Sequence, residues 1–437
     1  MKTKDYKPNK VNIVTLGCSK NLVDSEEILT QLRGNGLDVE HEAKRDNYGI
    51  VIINTCGFID NAKEESIDTI LRYTDAKRAG IVEKVYVTGC LSQRFGTELA
   101  HEMPDVDAFF GTRDLPRLLK TLKADYKHEL VGERLLTTPN HFAYMKISEG
   151  CDRPCSFCAI PLMRGAHISQ PMDVLVAQAK NLAKQGVKEL ILIAQDLTFY
   201  GLDLYKKRNL AELIDRLADV EGIEWIRLQY AFPAGFPTDV LEVIKNRSNV
   251  CKYLDMPLQH GSTEMLKIMR RGITRQKTEE LIDSIRQSIP EIAIRTTLIV
   301  GHPGETEAHF DEMQRFVEWG QFERMGVFTY SHEEQTHSHS MPDDIEEEVK
   351  EERKSVLMEM QQDISASHNA KKVGSIQKVL IDRKESGVWL GRTQFDSPEV
   401  DNEVIIDAKK FYLRQGDFIQ ARILDASEFD LFAEPIE

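Results

Sequence analysis

Apolar, β-branched runs of strand length alternate with stretches of helical periodicity along the first third of the chain. The strand-like runs are 11–16, 50–54 and 84–88. Each is followed by a stretch whose apolar positions recur every three or four residues, at 25–33, 63–77 and 92–102. Gly34, Gly36 and Gly80 stand where helix C-terminal stops belong. Such alternation predicts a parallel sheet, because parallel neighbours need a crossover helix. After a linker over 126–141, which contains Pro139, the alternation resumes. Strands are predicted at 143–148, 189–194, 225–229, 252–255, 293–300 and 324–330. Helices are predicted at 172–185, 210–220, 239–246, 278–288 and 307–320. These units fit a partial or open (β/α)6 barrel, which carries its chemistry at the C-terminal ends of its strands.

Beyond this the pattern changes twice. Residues 341–370 are charged and helix-prone, and read as a solvated connecting helix. Over 371–437, strand-like runs at 376–381, 387–393, 403–406 and 418–423 alternate with turns. Helical periodicity is absent there, which predicts a small antiparallel β-barrel of OB-like size. The predicted class is α/β, with units at 9–125, 137–368 and 371–437.

Composition narrows the function. The chain has 437 residues, enough for about three domains at roughly 150 residues each. Lys and Arg number 56 against 71 Asp and Glu, a net charge of −15. That balance excludes the bulk electrostatic footprint of a general nucleic-acid binder, though a local patch or a basic protein partner fits it. The N-terminus is charged and has no apolar core of a signal peptide, and no run approaches the length of a membrane span. The expectation is a cytoplasmic protein, without membrane association and monomeric. There is no GxGxxG and no Gly-Lys pair, so neither a dinucleotide fingerprint nor a P-loop is present.

In a reducing compartment clustered cysteines point to metal or catalysis before disulfides. Of the seven cysteines, Cys151, Cys155 and Cys158 are spaced C-x3-C-x2-C directly after the first predicted barrel strand. Three thiolates can hold three irons of a 4Fe–4S cube and leave the fourth iron open to a ligand. The alternatives are a zinc site, for which no fourth ligand is evident nearby, or inert thiols. The motif and its position resemble the radical S-adenosylmethionine (SAM) family. That resemblance implies that the open iron binds SAM, which is then split to a 5′-deoxyadenosyl radical.

Cys18, Cys56 and Cys90 are dispersed, yet each stands just past the end of a predicted parallel strand, beside Gly17, Gly57 and Gly89. Carboxyl ends of adjacent parallel strands lie on one edge of a sheet, so three thiolates there can share a second cluster. Three separate buried cysteines are the alternative. A three-cysteine domain ahead of a radical SAM domain resembles the methylthiotransferases, and the terminal β-domain looks like their TRAM domain. The segments Asp-Met-Pro-Leu-Gln-His-Gly-Ser (255–262), Met-Arg-Arg-Gly (269–272) and Thr-Leu-Ile-Val-Gly-His-Pro-Gly-Glu-Thr (297–306) also fit. The resemblance implies two 4Fe–4S clusters, a sulfur or methylthio group carried by the second, and a protein reductant such as flavodoxin or ferredoxin.

Within that family the segment 15–26, Thr-Leu-Gly-Cys-Ser-Lys-Asn-Leu-Val-Asp-Ser-Glu, resembles the RimO-type branch, as does Cys-Ala-Ile-Pro-Leu-Met-Arg-Gly at 158–165. That branch methylthiolates the β-carbon of an aspartate in small-subunit ribosomal protein S-twelve. The MiaB-type branch modifies transfer RNA and typically shows Gly-Cys-Gln-Met-Asn at the first position. The C-terminal unit carries 10 Lys and Arg against 13 Asp and Glu. A net acidic surface suits a basic ribosomal protein better than RNA. A cluster- or zinc-binding adaptor without chemistry is the reading of a different class.

Among other residues, Gln195 and Asp196 follow the second barrel strand and Arg295 lies within a strand, so all three are candidate SAM contacts. Cys251 reads as a buried structural thiol, and His332, His337 and His339 as a solvated polar loop rather than a metal tract.

Overall fold

The computed structural model describes residues 7–44, 47–130 and 132–436. The extreme N-terminal residues, read above for a signal peptide, lie outside the described residues.

The N-terminal sheet has five parallel strands: β1 (Lys7–Thr15), β2 (Asp38–His41), β3 (Tyr48–Thr55), β4 (Lys84–Gly89) and β5 (Ala108–Phe109). Their order is β2-β1-β3-β4-β5. Alternate residues feed two cores, with Val11, Ile13 and Ile52 on one face and Val14, Val51, Ile53 and Val87 on the other. Burial on both faces is what a sheet flanked by crossover helices requires. The predicted three strands are the inner ones. The edges β2 and β5 escaped the pattern because they are short and β2 carries Asp38, Glu40 and His41. The strand order reverses between β1 and β3, which opens a crevice at their carboxyl ends.

The second sheet has six parallel strands, β6 (Phe142–Lys146), β9 (Glu189–Ile193), β10 (Trp225–Leu228), β11 (Val250–Asp255), β12 (Ala293–Val300) and β13 (Arg324–Thr329). A small hairpin-like pair, β7 (Ser148–Glu149) and β8 (Ile168–Ser169), follows β6. The order β13-β12-β11-β10-β9-β6 gives the open barrel expected. Its convex face is aliphatic: Leu190, Leu192, Ile226, Leu228, Leu254, Ile294 and Leu298 pack on the outer helices. The alternate residues on the concave wall include Glu189, Arg227, Asp255 and Arg295, an unusual set for a strand interior. The helix Glu347–Ala370 joins the outer layer instead of standing in solvent as predicted: Leu357 and Ile364 enter the barrel core and Arg353 pairs with Glu305 at 2.7 Å. Its inward face read as solvated because it buries charged side chains along with aliphatic ones.

The C-terminal unit is a closed barrel of β14 (Ile376–Glu385), β15 (Val388–Thr393), β16 (Val404–Asp407), β17 (Phe418–Ala426) and β18 (Leu431–Pro435). It is antiparallel except where β16 and β18 pair in parallel to close it. The fifth strand, β18, was not foreseen.

The β15–β16 connection explains the polar concave wall. Arg227 Nη1 donates to the carbonyl of Gln394 at 2.7 Å, and Tyr253 Oη donates to Asp401 Oδ2 at 2.7 Å. Arg324 pairs with Asp396. Arg392 bridges Glu189 at 2.7 Å and Asp382 at 2.6 Å, and His141 reaches Asp382 at 2.8 Å. Charges this deep are tolerated only when paired. Cys251 lies in the same interface, 1% exposed among Trp225, Tyr253 and Leu380, and burial pushes its thiol up to about 12.

At the other end of the barrel, His302 follows β12 and is fully buried. Its Nε2 lies 2.8 Å from Ser338 Oγ, and its ring packs on Tyr330 at 5.0 Å and Phe157 at 6.4 Å. Phe157 belongs to the first cysteine segment, so His302 buttresses that loop.

Two predictions arise here. Arg392→Met leaves buried Glu189 with Arg227 alone and Asp382 with His141 alone, and should lower stability in urea titration by about 3 kcal/mol. Burial holds the His302 imidazole down from 6.5 to about 4. Its folded value lies below its unfolded one, so its contribution is full above pH 6.5 and is lost as pH falls towards 4. The loss amounts to about 3 kcal/mol in the acid limb of a stability–pH profile, and His302→Gln should flatten that limb.

Candidate active site

The first cysteine trio lies in the loop after β7. Gly150 precedes it with φ +83, and a Cβ there would come within 2.1 Å of the Ala166 carbonyl oxygen, so only glycine fits. The Cys151 amide donates to the Gly165 carbonyl at 3.0 Å, and Ser156 N donates to the Met269 carbonyl at 3.0 Å. These bonds pin the loop at both ends. Arg271 Nη1 stands 3.2 Å from Cys155 Sγ, and the Arg153 amide donates to Cys151 Sγ at 3.5 Å. Both guanidinium groups rest on Phe232, at 4.0 Å for Arg271 and 3.9 Å for Arg153. Burial pushes the thiols of Cys151 and Cys158 up to about 11 and about 12. A ligand that takes them as thiolates must therefore displace protons.

The second trio sits on the C-terminal edge of the N-terminal sheet. Cys18 follows β1 and precedes the helix Ser19–Gly34, Cys56 follows β3, and Cys90 opens the helix Cys90–Glu102 after β4. Gly17 has φ +88, and a Cβ on it would lie 2.9 Å from Cys56 Sγ, so the chain before Cys18 runs directly against Cys56. Burial pushes the Cys56 thiol up and Cys90 up to about 12; Cys18 adds to both, and Arg164 opposes. Cys18 is exposed, whereas Cys56 and Cys90 are buried.

Three soft thiols without a fourth protein ligand suit a cube with one open iron better than a closed tetrahedral site. Among the described residues, no three Cys, His, Asp or Glu side chains gather as ligands of a single ion. Ligands of a cube each hold a different iron and stand farther apart. The same observation covers His332, His337 and His339: His332 and His339 stack at 4.4 Å without forming a three-ligand group.

The two edges face each other across a partly buried ionic cluster. Asp24, from the helix Ser19–Gly34, pairs with Lys146 and with Arg164 Nη1 at 2.6 Å. Glu149 pairs with Lys146 at 2.7 Å and Arg164 at 3.2 Å. Burial favours its neutral form, but Lys146 and Arg164 win and hold it down to about 2. Arg164 also bonds Asn21, whose Oδ1 is 3.8 Å from Cys90 Sγ. Cys90 packs on Ala159 and Met163 from the first cysteine segment. A second link joins Arg94 and Lys63 to Glu333, at 2.6 and 3.0 Å.

The structure separates the three residues expected to contact SAM. Gln195 lies in this ionic cluster, where Nε2 donates to Glu149 Oε1 at 2.7 Å while its buried Oε1 has no partner among the described residues. Asp196 Oδ1 caps the turn Leu197–Phe199 through Thr198 N at 2.8 Å, and Oδ2 takes Arg153 Nε at 2.8 Å. Arg295 is engaged within the chain: it lies 3.2 Å from Asp255 and 3.4 Å from Asp401 of the terminal barrel. Its strand position was legible, but nothing in the local pattern announces a carboxylate from another domain. Lys20, Asp24, Lys146, Glu149, Arg153, Arg164 and Arg271 were missed as a set. Their one signal was charge beside the cysteine motifs.

Three family models match the chain: "Uncharacterized protein family UPF0004" over 10–111, "Radical SAM superfamily" over 145–317, and "TRAM domain" over 373–436. The proteins named ribosomal protein uS12 methylthiotransferase RimO from Cytophaga hutchinsonii and Flavobacterium johnsoniae are 66% and 59% identical to it, each alignment spanning 100% of both chains. The homologue of that name from Parabacteroides distasonis is 52% identical over 98% of this chain and 99% of its own. Among solved structures, the radical SAM methyltransferase TsrM from Kitasatospora setae superposes with a TM-score of 0.54 at 16% identity, covering 73% of this chain and 72% of TsrM. The cobalamin-dependent radical SAM enzyme OxsB gives 0.52 at 13% identity, over 75% of this chain and 54% of OxsB. At those identities the two structures speak to the fold, whereas the full-length relatives speak to the family: the chain belongs to the RimO family of radical SAM methylthiotransferases.

Proposed function

We propose that this enzyme methylthiolates the β-carbon of an aspartate in ribosomal protein uS12. The observation that carries the reading is the pair of cysteine trios on facing sheet edges, joined by one rigid ionic cluster. A C–H bond that is opened at one trio and filled with sulfur at the other needs both within reach of the same carbon. The substrate follows from the named activity of relatives that match over the whole length, and from the acidic terminal barrel, which complements a basic protein.

In this reading Cys151, Cys155 and Cys158 hold one 4Fe–4S cluster and Cys18, Cys56 and Cys90 hold another. Bound there, the first cluster would supply the electron for reductive cleavage of SAM, and the second would supply the sulfur or methylthio group. The chain's own residues prepare the site. Arg271 and the Arg153 amide donate to first-trio sulfurs and stabilise them as thiolates. Gln195 Oε1, buried and unpartnered, offers an acceptor to the SAM ammonium. Asp196 acts on Arg153 and not on SAM directly. The units 9–125, 137–368 and 371–437 are the second-cluster, radical SAM and TRAM domains. No helix among the described residues is long and apolar enough to cross a membrane. We place the enzyme in the cytoplasm as a monomer, reduced by a flavodoxin or ferredoxin.

A competition separates the substrates. Reconstituted enzyme with SAM, reductant and sulfide is given uS12 and transfer RNA together under anaerobic conditions. Mass spectrometry should find one methylthio group on the protein; a gain on RNA alone assigns the enzyme to the MiaB-type reaction. A chain purified anaerobically with zinc, or without iron and sulfide, would be an adaptor and not an enzyme.

Cysteine variants separate the two clusters. Cys151→Ala should reduce 5′-deoxyadenosine formation to background. Cys56→Ala should lose methylthio transfer and about half the iron while retaining part of SAM cleavage. A Cys56→Ala enzyme as active as wild type refutes the second site.

A further inference from the structure

We propose that Lys20 binds the carboxylate of the substrate aspartate and so places its β-carbon between the two trios. The proposal rests on the reading of the substrate given above.

Lys20 is the second residue of the helix Ser19–Gly34 and is only 9% exposed. A lysine this deep ordinarily has a carboxylate partner. The other buried lysines obey that rule: Lys10 pairs with Glu40 at 2.5 Å, Lys146 with Glu149 at 2.7 Å, and Lys350 with Asp343 at 3.1 Å. Lys20 has no carboxylate at ion-pair distance among the described residues. Its natural helical partner four residues on, Asp24, is already held by Lys146 and Arg164.

What Lys20 has instead is a ring. Its Nζ lies 3.3 Å from the centroid of Tyr230. A cation on a π face is held in place while its remaining N–H groups stay free to donate. Tyr230 is itself fixed in an unusual way: it follows β10 with φ +69, a conformation that disfavours any side chain. Its amide donates to Asp255 Oδ2 at 3.1 Å, and its carbonyl accepts from Leu197 N at 3.1 Å, next to Asp196. On the other side, the neighbouring Asn21 reaches Cys90 Sγ. The ammonium thus stands on the seam between the radical SAM strand ends and the second trio.

The chemistry fits a carboxylate. The β-carbon of aspartate is bonded to its carboxyl carbon, so fixing that group fixes the reacting carbon one bond away. A charge-assisted bond from an ammonium already seated on a ring suits such a task. SAM also carries a carboxylate, and the test separates the two sources.

The affinity of uS12 is measured for its acceptor aspartate form and for the same protein with asparagine there, on reconstituted full-length enzyme with SAM bound. Wild type should prefer aspartate by at least about tenfold. Lys20→Met and Lys20→Gln should bring the ratio to about one, and Lys20→Arg should keep most of it, with SAM affinity unchanged throughout. Tyr230→Leu, which unseats the ammonium without removing it, should lower the ratio too, and it keeps the proposal refutable if the neutral variants lose iron. An unchanged ratio in these variants overturns the proposal, as does weakened SAM binding, which would put the ammonium on SAM. Wild type that modifies only RNA sinks the substrate reading itself; wild type that modifies uS12 without an aspartate preference sinks Lys20 alone.

Discussion

Four charges, the buried Lys146 and Arg164 and the half-buried Asp24 and Glu149, determine how the two halves of the active site meet. Each cation touches both carboxylates, so breaking one pair leaves a buried cation short of a counter-charge. Such a cluster adds little net stability compared with packed aliphatic side chains. It does prescribe one register, because only one docking of the helix Ser19–Gly34 on the barrel mouth satisfies all four groups. Cys90, Asn21 and Lys20 are carried by the elements that this docking fixes. A greasy interface of equal area would allow sliding, and a small slide suffices to misplace reacting atoms.

The same logic is used again at the opposite end of the barrel. The β15–β16 connection delivers Asp396 and Asp401 to Arg324, Arg295 and Tyr253, and β15 itself delivers Arg392 to Glu189. The terminal barrel is thus more than an appended module. It fills the concave wall of the open sheet from below, which closes that side to water and leaves the carboxyl ends of the strands as the open mouth. Both cysteine trios lie at that mouth, on the side away from the terminal barrel.

These two interfaces also explain what could be read from the chain and what could not. Inner strands such as 84–88 and 293–300 were legible because both faces, or one full face, are aliphatic and the period is local. Both cysteine trios were legible because strand ends can be placed without knowing the tertiary fold. The helix beginning at Ser19 was read as starting at residue 25, since Lys20, Asn21 and Asp24 look like solvent-facing residues and are in fact turned into another domain. Arg295 was read as a ligand contact for the same reason: a charge inside a strand announces a partner but not which one. Glu347–Ala370 was mistaken for a solvated helix because its buried face pairs charges. Local pattern reports polarity; only the tertiary structure says whether a polar group meets water, a counter-ion or a ligand.

That distinction gives buried charges their diagnostic value. In this molecule a deep guanidinium, ammonium or carboxylate nearly always has an opposite charge waiting on a different element, and the pairing accounts for the domain contacts. Once those pairs are assigned, what is left over cannot be structural in the same sense. Gln195 Oε1 and the Lys20 ammonium are such remainders, one an acceptor and one a cation, both on the seam between the trios. SAM carries an ammonium and a carboxylate, whereas an aspartate within a protein, the acceptor proposed above, offers a carboxylate alone. The unmatched acceptor and the unmatched cation are complementary to such molecules in sign, and they lie where the two must meet.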